Sequence, residues 1–211
     1  MKIQYLESVD STQTYLKELI KNNVQTAPFA VVSKMQTNGL GSRSNTWTGL
    51  SGNLFLSFCV SLDDLPSDLK LESASIYFAY ILKETLASEG SKVWLKWPND
   101  FYLDKLKIGG MITNIVGGAL ICGVGLNLVT KPKGFDSLDV TVNIEDLLKK
   151  YFLNIEKRIL WKQVFSKYKL EFYKSQNFST HTNNLRISLG DATLQDDGSI
   201  MSNNERIYSL R

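Results

Sequence analysis

The stretch Val93–Asp100, which reads VWLKWPND, organises the rest of the chain. Its first five residues are β-branched, aromatic or large and apolar except for Lys96, and this composition predicts a strand that is buried on both faces. Pro98 cannot donate to a sheet ladder, so the strand ends there and the next two residues turn the chain. Because side chains alternate along a strand, the two predicted faces are Val93, Leu95 and Trp97 on one side, and Trp94 and Lys96 on the other.

The end of this strand brings together a lysine, an amide and a carboxylate, from Lys96, Asn99 and Asp100. Lysine is almost never buried without a partner. One interpretation is a side chain that keeps its ammonium group in water while its stem lies on apolar neighbours. The other is a cation directed at an anionic substrate, with Asp100 available to a metal ion. The octapeptide alone leaves both interpretations open.

The composition argues against several classes of function. With 211 residues, 43% of them hydrophobic and 21% charged, the chain has the size of one soluble domain, or of one domain with a small appendage. A net charge of +3 is too small to indicate nucleic acid or an anionic membrane by itself. His181 is the single histidine, so a histidine-based zinc site or a Ser-His-Asp triad is hard to build. The cysteines, Cys59 and Cys122, lie in apolar runs and are predicted to be buried free thiols.

No segment is predicted to target or anchor the chain. The start, Met1–Glu7, lacks the pattern of a signal peptide. The longest apolar run, Gly117–Val129, is too short to span a bilayer. We therefore expect a cytoplasmic protein with no membrane partner.

Periodicity predicts alternating strands and helices along the main body. The predicted strands are Ile3–Leu6, Phe29–Met35, Leu54–Val60, the Lys96 strand, a hairpin over residues 101–116 that turns at Asp104, and Ala119–Leu128. The first predicted helix starts after a cap at Asp10 or Ser11, and the second runs over Leu71–Ser88. The third runs from a cap at Thr141 or Asn143 to Lys150, and the last from Asn154 to about Gln176. Because most strands are connected by hairpins, we expect an α+β (mixed α/β) fold whose mixed, mostly antiparallel sheet is flanked by helices.

The end of the chain is predicted to be separate from the main body. Residues 1–178 carry the helices and the long strands, and Phe178–Asn184 is polar enough to be a linker. Residues 185–211 hold a few short alternating runs, which predict β-strands too few to form a core of their own. We therefore expect a main domain over 1–178 and a small, truncated β domain over 185–211.

The segment Gln36–Trp47 has almost no apolar content, and loops of this length inside compact domains are often functional. Gly39 and Gly41 would let the backbone approach an anion closely, and Arg43 could form a fork on phosphate or carboxylate. The segment matches neither a Walker A loop nor a dinucleotide-binding fingerprint. Taken alone, it fits a mobile surface loop equally well.

Taken in order, six motifs closely resemble those of the biotin–protein ligases. They are Ser11-Thr12-Gln13; Gln36 with Gly39, Gly41, Arg43 and Trp47; Gly52-Asn53-Leu54 with Ser57; Lys96-Trp97-Pro98-Asn99-Asp100; Lys107 with Gly110; and Gly123 with Gly125 and Asn127. The resemblance covers about residues 7–130 strongly and the C-terminal β piece weakly. Lys-Trp-Pro-Asn-Asp is its most specific element.

This resemblance implies a fold like that of class II aminoacyl-tRNA synthetases, with a small SH3-like C-terminal piece. It implies an enzyme that joins biotin to ATP, giving biotinyl-5′-AMP and pyrophosphate. The biotin then passes to one lysine of a biotin carboxyl carrier domain, in acetyl-CoA carboxylase or another biotin-dependent carboxylase. ATP, biotin and Mg²⁺ are the implied ligands, and a monomer or homodimer is expected. Because the chain begins at the catalytic domain, without the helix-turn-helix domain of some family members, we expect no sequence-specific DNA binding.

The resemblance also assigns site residues. Lys96 is expected to bridge the biotin carboxylate and the α-phosphate, and it is the expected catalytic residue together with Arg43. Asp100 is the expected magnesium ligand. The expected biotin-binding residues are Ser11, Thr12, Gln13, Gln36, Gly39, Gly41, Ser42, Lys96 and Gly110. The expected nucleotide-binding residues are Arg43, Trp47, Asn99, Lys107 and Asn127.

The chain departs from the family pattern at several of these positions. The usual loop is Gly-Arg-Gly-Arg-x-Gly-Arg-x-Trp, and here Arg43 alone keeps a charge, because Leu40, Ser42 and Asn45 replace three arginines and Ser44 replaces the third glycine. Gln13 stands for the usual Asn, and Asn114 stands where Glu is common. We expect weaker biotin affinity as a consequence of the missing arginines.

Two alternatives remain from the sequence. A lipoate–protein ligase would share the fold and the adenylation chemistry, but Gln36 and the Lys-Trp-Pro-Asn-Asp element favour biotin. A degenerate, non-catalytic module that binds biotin or a nucleotide is the other alternative. Retention of Lys96, Asn99, Asp100 and Lys107 argues against it.

Overall fold

The computed structural model describes residues 1–42, 45–182 and 185–209. The strands of the main body are β1 (Lys2–Leu6), β2 (Phe29–Ser33), β3 (Gly39–Leu40), β4 (Thr46–Trp47), β5 (Leu54–Ser61), β6 (Trp94–Lys96), β7 (Asp100–Leu103), β8 (Leu106–Val116) and β9 (Ala119–Leu126). Seven of them form one sheet in the order β1-β2-β5-β9-β8-β7-β6, and β3 pairs with β4 separately. All neighbours in the large sheet are antiparallel except β1 and β2.

The two faces of the large sheet have different composition. In β9, the even-numbered residues from Leu120 to Leu126 pack into the main core. The odd-numbered residues include Gly123 and Gly125, so the opposite face has no side chains at these positions. This glycine-lined part of the sheet leaves room for a ligand site.

Four helices cover the sheet: α1 (Thr12–Lys21), α2 (Ala74–Ser88), α3 (Ile144–Glu156) and α4 (Trp161–Glu171). Helix α1 packs Leu16 and Ile20 onto the face that carries the glycines. The other three helices pack on the opposite face, around the main core. The predicted fold, a mostly antiparallel sheet flanked by helices, is confirmed.

The predicted boundary between the last two helices is wrong. The sequence placed a helix start at Asn154, but α3 continues to Glu156, and the break comes at residues 157–160, where Arg158 has φ 46°. Asn154 instead donates from its side chain to Thr85 Oγ1 over 3.1 Å. A polar residue that resembles a helix cap thus binds a neighbouring helix.

The strand predicted around Lys96 forms as β6, with the expected faces. Val93, Leu95 and Trp97 enter the main core. Trp94 lies on the other side, where its ring contacts Tyr102 and Phe178 at centroid distances of 5.4 and 5.6 Å.

The end of the chain forms five short strands: β10 (Ser179–Thr182), β11 (Leu185–Ser188), β12 (Thr193–Leu194), β13 (Ile200–Ser202) and β14 (Glu205–Ile207). The prediction of a linker over 178–184 is wrong, because Ser179–Thr182 of that segment form β10, which pairs with β11. Leu189 and Ile200 join the main core, and Gly198 O accepts a 2.8 Å hydrogen bond from Trp97 Nε1. The division into domains 1–178 and 185–211 stays a prediction.

Both cysteines are buried and free, as predicted. Burial raises the pKa of both thiols, which makes them less reactive. None of the helices in the described part of the chain has the length and apolar character needed to cross a bilayer.

Candidate active site

A cavity lies over the glycine-lined sheet face, between the start of α1 and the β3–β4 pair. Most of the predicted site residues line it: Ser11, Thr12, Gln13, Gln36, Gly41, Ser42, Trp47, Asn99, Asp100, Lys107 and Gly110. Three others, Gly39, Lys96 and Asn127, are not among its lining residues. Arg43 lies outside the described residues, so its predicted roles have no structural account.

One wall of the cavity is a continuous chain of neutral hydrogen bonds. Gln36 Oε1 accepts from Thr12 N at 2.8 Å and from Thr12 Oγ1 at 3.0 Å. Thr12 Oγ1 lies 2.9 Å from Ser57 Oγ, which donates to Gln13 Oε1 over 3.0 Å. Gln13 Nε2 donates in turn to Asn114 Oδ1 over 3.1 Å. We call these five residues the neutral wall.

The start of helix α1 explains why this wall forms. Ser11 caps the helix, and the N–H groups of the first turn have no partner within the helix. Gln36, which follows β2, satisfies the N–H of Thr12. Gly123 completes the arrangement, because a Cβ at this position would lie only 2.5 Å from Gln13 Oε1.

Ser57 is a member of this wall that the site predictions missed. It is fully buried on β5 and lies opposite Gly123 on β9. Its place in the Gly52-Asn53-Leu54-x-x-Ser57 motif was the available signal. A serine in the middle of an apolar strand, with its hydroxyl on the glycine-lined face, marks a polar site inside the fold.

The second wall carries charge. Asp100 Oδ1 lies 2.6 Å from the ammonium group of Lys107, and Asp100 Oδ2 lies 3.5 Å from that of Lys96. Two ammonium groups thus face one carboxylate, and these three groups together carry one net positive charge. We call Lys96, Asp100 and Lys107 the charged wall.

The two lysines of the charged wall differ in exposure, which the sequence did not predict. Lys96 has 6% of its side chain exposed, and its ammonium lies against Asp100 and 5.6 Å from the centre of the Tyr102 ring. Lys107 has 28% exposed and lines the cavity. The predicted placement of Lys96 against the ligands stays a prediction. Lys96 and Asp100 are direct partners across β6 and β7, which brings the ammonium to the carboxylate.

The side-chain amides of Asn99 and Asn127 donate hydrogen bonds to backbone carbonyls. Asn99 is 2% exposed, and its side-chain amide donates to the carbonyl of Met111, which fixes the turn before β7 against β8. Asn127 is fully buried and donates to Asp136 O over 3.0 Å. The predicted contact of Asn127 with the nucleotide stays a prediction.

Trp47 covers the sheet where Gly125 leaves space. A Cβ on Gly125 would lie 2.6 Å from the indole ring. The indole also makes an edge contact with Phe135, with ring centroids 6.3 Å apart. Its buried Nε1 has no hydrogen-bond partner in the described part of the chain. A ligand in the cavity would meet both an aromatic surface and a donor here.

The charged wall does not fit the prediction of a magnesium ligand at Asp100. Both carboxylate oxygens lie near ammonium groups, which compete with a cation for the same oxygens. Among residues 1–42, 45–182 and 185–209, no three His, Cys, Asp or Glu side chains come close enough to hold a metal ion. Mg²⁺ commonly reaches such sites on substrate phosphates, with few protein ligands.

The fold and the two walls define a class of site that accepts a small ligand with a neutral polar end and an anionic end. Residues 5–128 match the family described as "Biotin/lipoate A/B protein ligase family", and the chain belongs to this family.

Known relatives agree with this membership. A Helicobacter pylori crystal structure of biotin acetyl coenzyme A carboxylase synthetase with bound biotinylated ATP shares 39% identity and a TM-score of 0.95, over 98% of this chain and 99% of that one. The Aquifex aeolicus biotin protein ligase in complex with biotin and ATP has the same fold, with a TM-score of 0.79 at 22% identity, over 100% of this chain and 96% of that one. The Escherichia coli bifunctional ligase/repressor BirA is 29% identical over 136 residues, which are 61% of this chain and 41% of BirA. The chain thus matches about two fifths of that relative's length.

Proposed function

We propose that this chain is a biotin–protein ligase. It would join biotin to ATP, releasing pyrophosphate and forming biotinyl-5′-AMP, and then transfer the biotin to a lysine of a biotin carboxyl carrier domain. The observation that carries the proposal is the two-walled cavity, in which neutral hydrogen-bonding groups and an exposed ammonium meet within one site. The relatives with biotin, biotinylated ATP or ATP in their structures support it.

The neutral wall suits the ureido ring of biotin. Three contacts between side-chain oxygens run along the wall, from Gln36 to Thr12, from Thr12 to Ser57 and from Ser57 to Gln13. The two hydroxyl groups supply only two hydrogens for these three contacts. One of the three contacts therefore lacks a proton, and Gln13 Oε1, which accepts one hydrogen bond from Ser57, can accept another from a ring N–H group. A hydroxyl can turn to donate to the ring carbonyl. An uncharged ring with both donors and acceptors is the matching ligand.

The charged wall suits the reacting groups. The biotin carboxylate attacks the α-phosphate, so two anions must approach each other, and a cation fixed beside them stabilises the transition state. We assign this role to the two lysines of the charged wall, with Lys107 lining the cavity and Lys96 as the predicted bridge between the biotin carboxylate and the α-phosphate. Asp100, which contacts both ammonium groups, would orient them.

The β3–β4 pair would cover the intermediate. Trp47 packs on Gly125 at the rim, and Gly41 and Ser42 line the cavity beside it. Such a cover keeps water from hydrolysing the mixed anhydride of biotin and AMP. The predicted contribution of Arg43 to this loop remains part of the proposal.

After adenylation, the second step transfers biotin to the acceptor lysine. The acceptor lysine first loses a proton to solvent, and its uncharged amine attacks the carbonyl carbon of biotinyl-5′-AMP. AMP leaves with the electrons of the broken anhydride bond, and the nitrogen releases a second proton to solvent as the amide forms. Mg²⁺ would enter with the phosphates of ATP, where it neutralises charge on the leaving pyrophosphate.

A lipoate ligase fits the cavity less well. The dithiolane ring of lipoate has neither N–H groups nor a carbonyl, so it could make no hydrogen bond to the neutral wall, and the oxygen contact that lacks a proton would stay unpaired. An unpaired buried polar group costs about 1–3 kcal/mol. The neutral wall therefore favours biotin over lipoate.

The test is pyrophosphate release from the protein with ATP and Mg²⁺, with biotin or lipoate as the second substrate. We expect release with biotin and a mass increase of one biotinyl group on an added carrier domain, read by intact mass spectrometry. Release with lipoate at an equal or higher rate would contradict the assignment. Absence of release with both acids would support a non-catalytic binding module instead.

A further inference from the structure

A second groove lies at the edge of the sheet, beside the terminal strand β6. Lys92, Lys105 and Lys174 line it together with the rings of Trp94, Tyr173 and Phe178. We call these six residues the edge groove. Tyr173 is 62% exposed, which is high for a large aromatic side chain.

The groove is positively charged. None of its three lysines takes part in an ion pair within the described residues. Lys174 lies 5.9 Å from the centre of the Trp94 ring, so its ammonium is held over the groove. Asp104 is the one acidic residue among the described lining, and its backbone carbonyl accepts from Trp94 Nε1 at 3.1 Å. Three ammonium groups thus outnumber one carboxylate.

The groove adjoins the cavity on the same face of the sheet. Trp94, Tyr102 and Lys107 are successive partners across β6, β7 and β8, so their side chains share that face. Two strand spacings, roughly 10 Å, separate Trp94 from Lys107. Lys105 precedes Lys107 by two residues in the same hairpin. Anything bound in the groove would therefore lie next to the charged wall.

We propose that the edge groove docks an acidic surface of the acceptor protein, next to its target lysine; this rests on the proposed function. The acceptor lysine is a cation as it approaches, and it must enter a site that already holds Lys107. Carboxylates on the acceptor, paired with Lys92, Lys105 and Lys174, offset that repulsion and orient the lysine towards the cavity. The exposed aromatic rings supply apolar contact area beneath these pairs.

A single-stranded nucleic acid is the other partner that lysines and aromatic rings attract. The structure favours the acceptor protein for two reasons. The groove is confined to the sheet edge next to the cavity, and the chain as a whole carries a net charge of only +3. Binding of a single-stranded oligonucleotide to the groove would distinguish the two partners.

The test reverses the charge of the groove, with the variant Lys92→Glu, Lys105→Glu and Lys174→Glu. None of these residues belongs to either wall of the cavity. Pyrophosphate release without acceptor should stay within about twofold of wild type, which also reports that the variant is folded. The kcat/KM for transfer to an intact carrier domain should fall about 10- to 100-fold, and the wild-type KM for the acceptor should rise with salt.

A matched variant carries the same charge change elsewhere. Lys21→Glu, Lys149→Glu and Lys162→Glu alter three exposed lysines that do not line the groove. Transfer by this variant should stay close to wild type. The milder Lys105→Ala and Lys174→Ala pair should lower transfer about 3- to 10-fold if the full reversal does not fold.

Three results are decisive. Equal transfer by the groove variant and the matched variant would overturn the docking proposal while leaving the proposed function intact. Binding of oligothymidylate that is lost only in the groove variant, with transfer unchanged, would overturn it in favour of nucleic acid. No pyrophosphate release by the wild type would overturn the proposed function itself, and with it this inference.

Discussion

The neutral wall and the charged wall face one cavity but are held together by different means. The neutral wall joins α1, β5 and β8 through a chain of hydrogen bonds in which every member binds another member. The charged wall joins β6, β7 and β8 around one carboxylate, with an ammonium group on each side. The hydrogen bonds of the neutral wall are spread over five residues, whereas both ammonium groups of the charged wall contact one carboxylate, that of Asp100.

This difference suggests a division of labour. Thr12, Gln13 and Ser57 of the neutral wall are buried, so they can select a ring by matching donors and acceptors, and desolvation makes mismatches costly. The charged wall is partly open to solvent and keeps one net positive charge, so it can meet anions that enter and leave. Binding of the biotin ring and activation of its carboxylate would thus be properties of separate residues.

The largest expected effect comes from the single carboxylate of the charged wall. Asp100→Ala leaves two ammonium groups near each other, one of them almost fully buried, and should lower the free energy of unfolding by about 3 kcal/mol. Urea unfolding followed by circular dichroism measures this loss. The control is Asp136→Ala, whose carboxylate pairs with exposed Lys131 and whose loss should stay within about 1 kcal/mol. Equal losses in the two variants would mean that Asp100 does not hold the wall together.

A smaller effect is expected at the edge of the neutral wall. Gln36→Ala removes the acceptor for both the N–H and the hydroxyl of Thr12, and should raise the KM for biotin about 10- to 100-fold. The kcat at saturating biotin should change little, because the charged wall is intact. Gln4→Ala, which removes a glutamine bonded to Tyr15 instead, serves as the control. A fall in kcat without a change in KM would remove the distinction between the walls.

The smallest expected effect tests whether neighbouring residues of the neutral wall are energetically coupled in biotin binding. Gln13 and Asn114, both departures from the family pattern, contact each other directly at 3.1 Å. Calorimetric biotin titrations of Gln13→Ala, Asn114→Ala and the double variant should show a coupling energy of about 1 kcal/mol. Additive effects of the two substitutions would show that these residues act on biotin independently.

The features of the fold and of the site that could be predicted depend on local sequence patterns. Alternation along Val93–Asp100 gave the correct faces for Trp94 and Lys96, because strand periodicity depends only on neighbours in sequence. The hairpins turn at Asp104 and Gly117, both with positive φ, which suits their residue types. Most residues assigned through the motifs also line the cavity.

What could not be predicted depends on contacts between distant residues. The helix break near Asn154 was misplaced because its side chain binds Thr85, 69 residues away. That Lys96 and Lys107 share one carboxylate could not be predicted, because the position of Asp100 between them follows from cross-strand pairing. Ser57 carries no periodic signal of its own, since its role comes from meeting Thr12 and Gln13.

Steady-state titration of pyrophosphate release with biotin, at saturating ATP, tests the division between the walls most directly. We predict that Lys107→Met lowers kcat ~10²–10³-fold with little change in the KM for biotin. We predict that Ser57→Ala raises that KM about tenfold or more and leaves kcat nearly unchanged. If both variants change the same constant by similar factors, the two walls do not act on separate steps and the account is wrong.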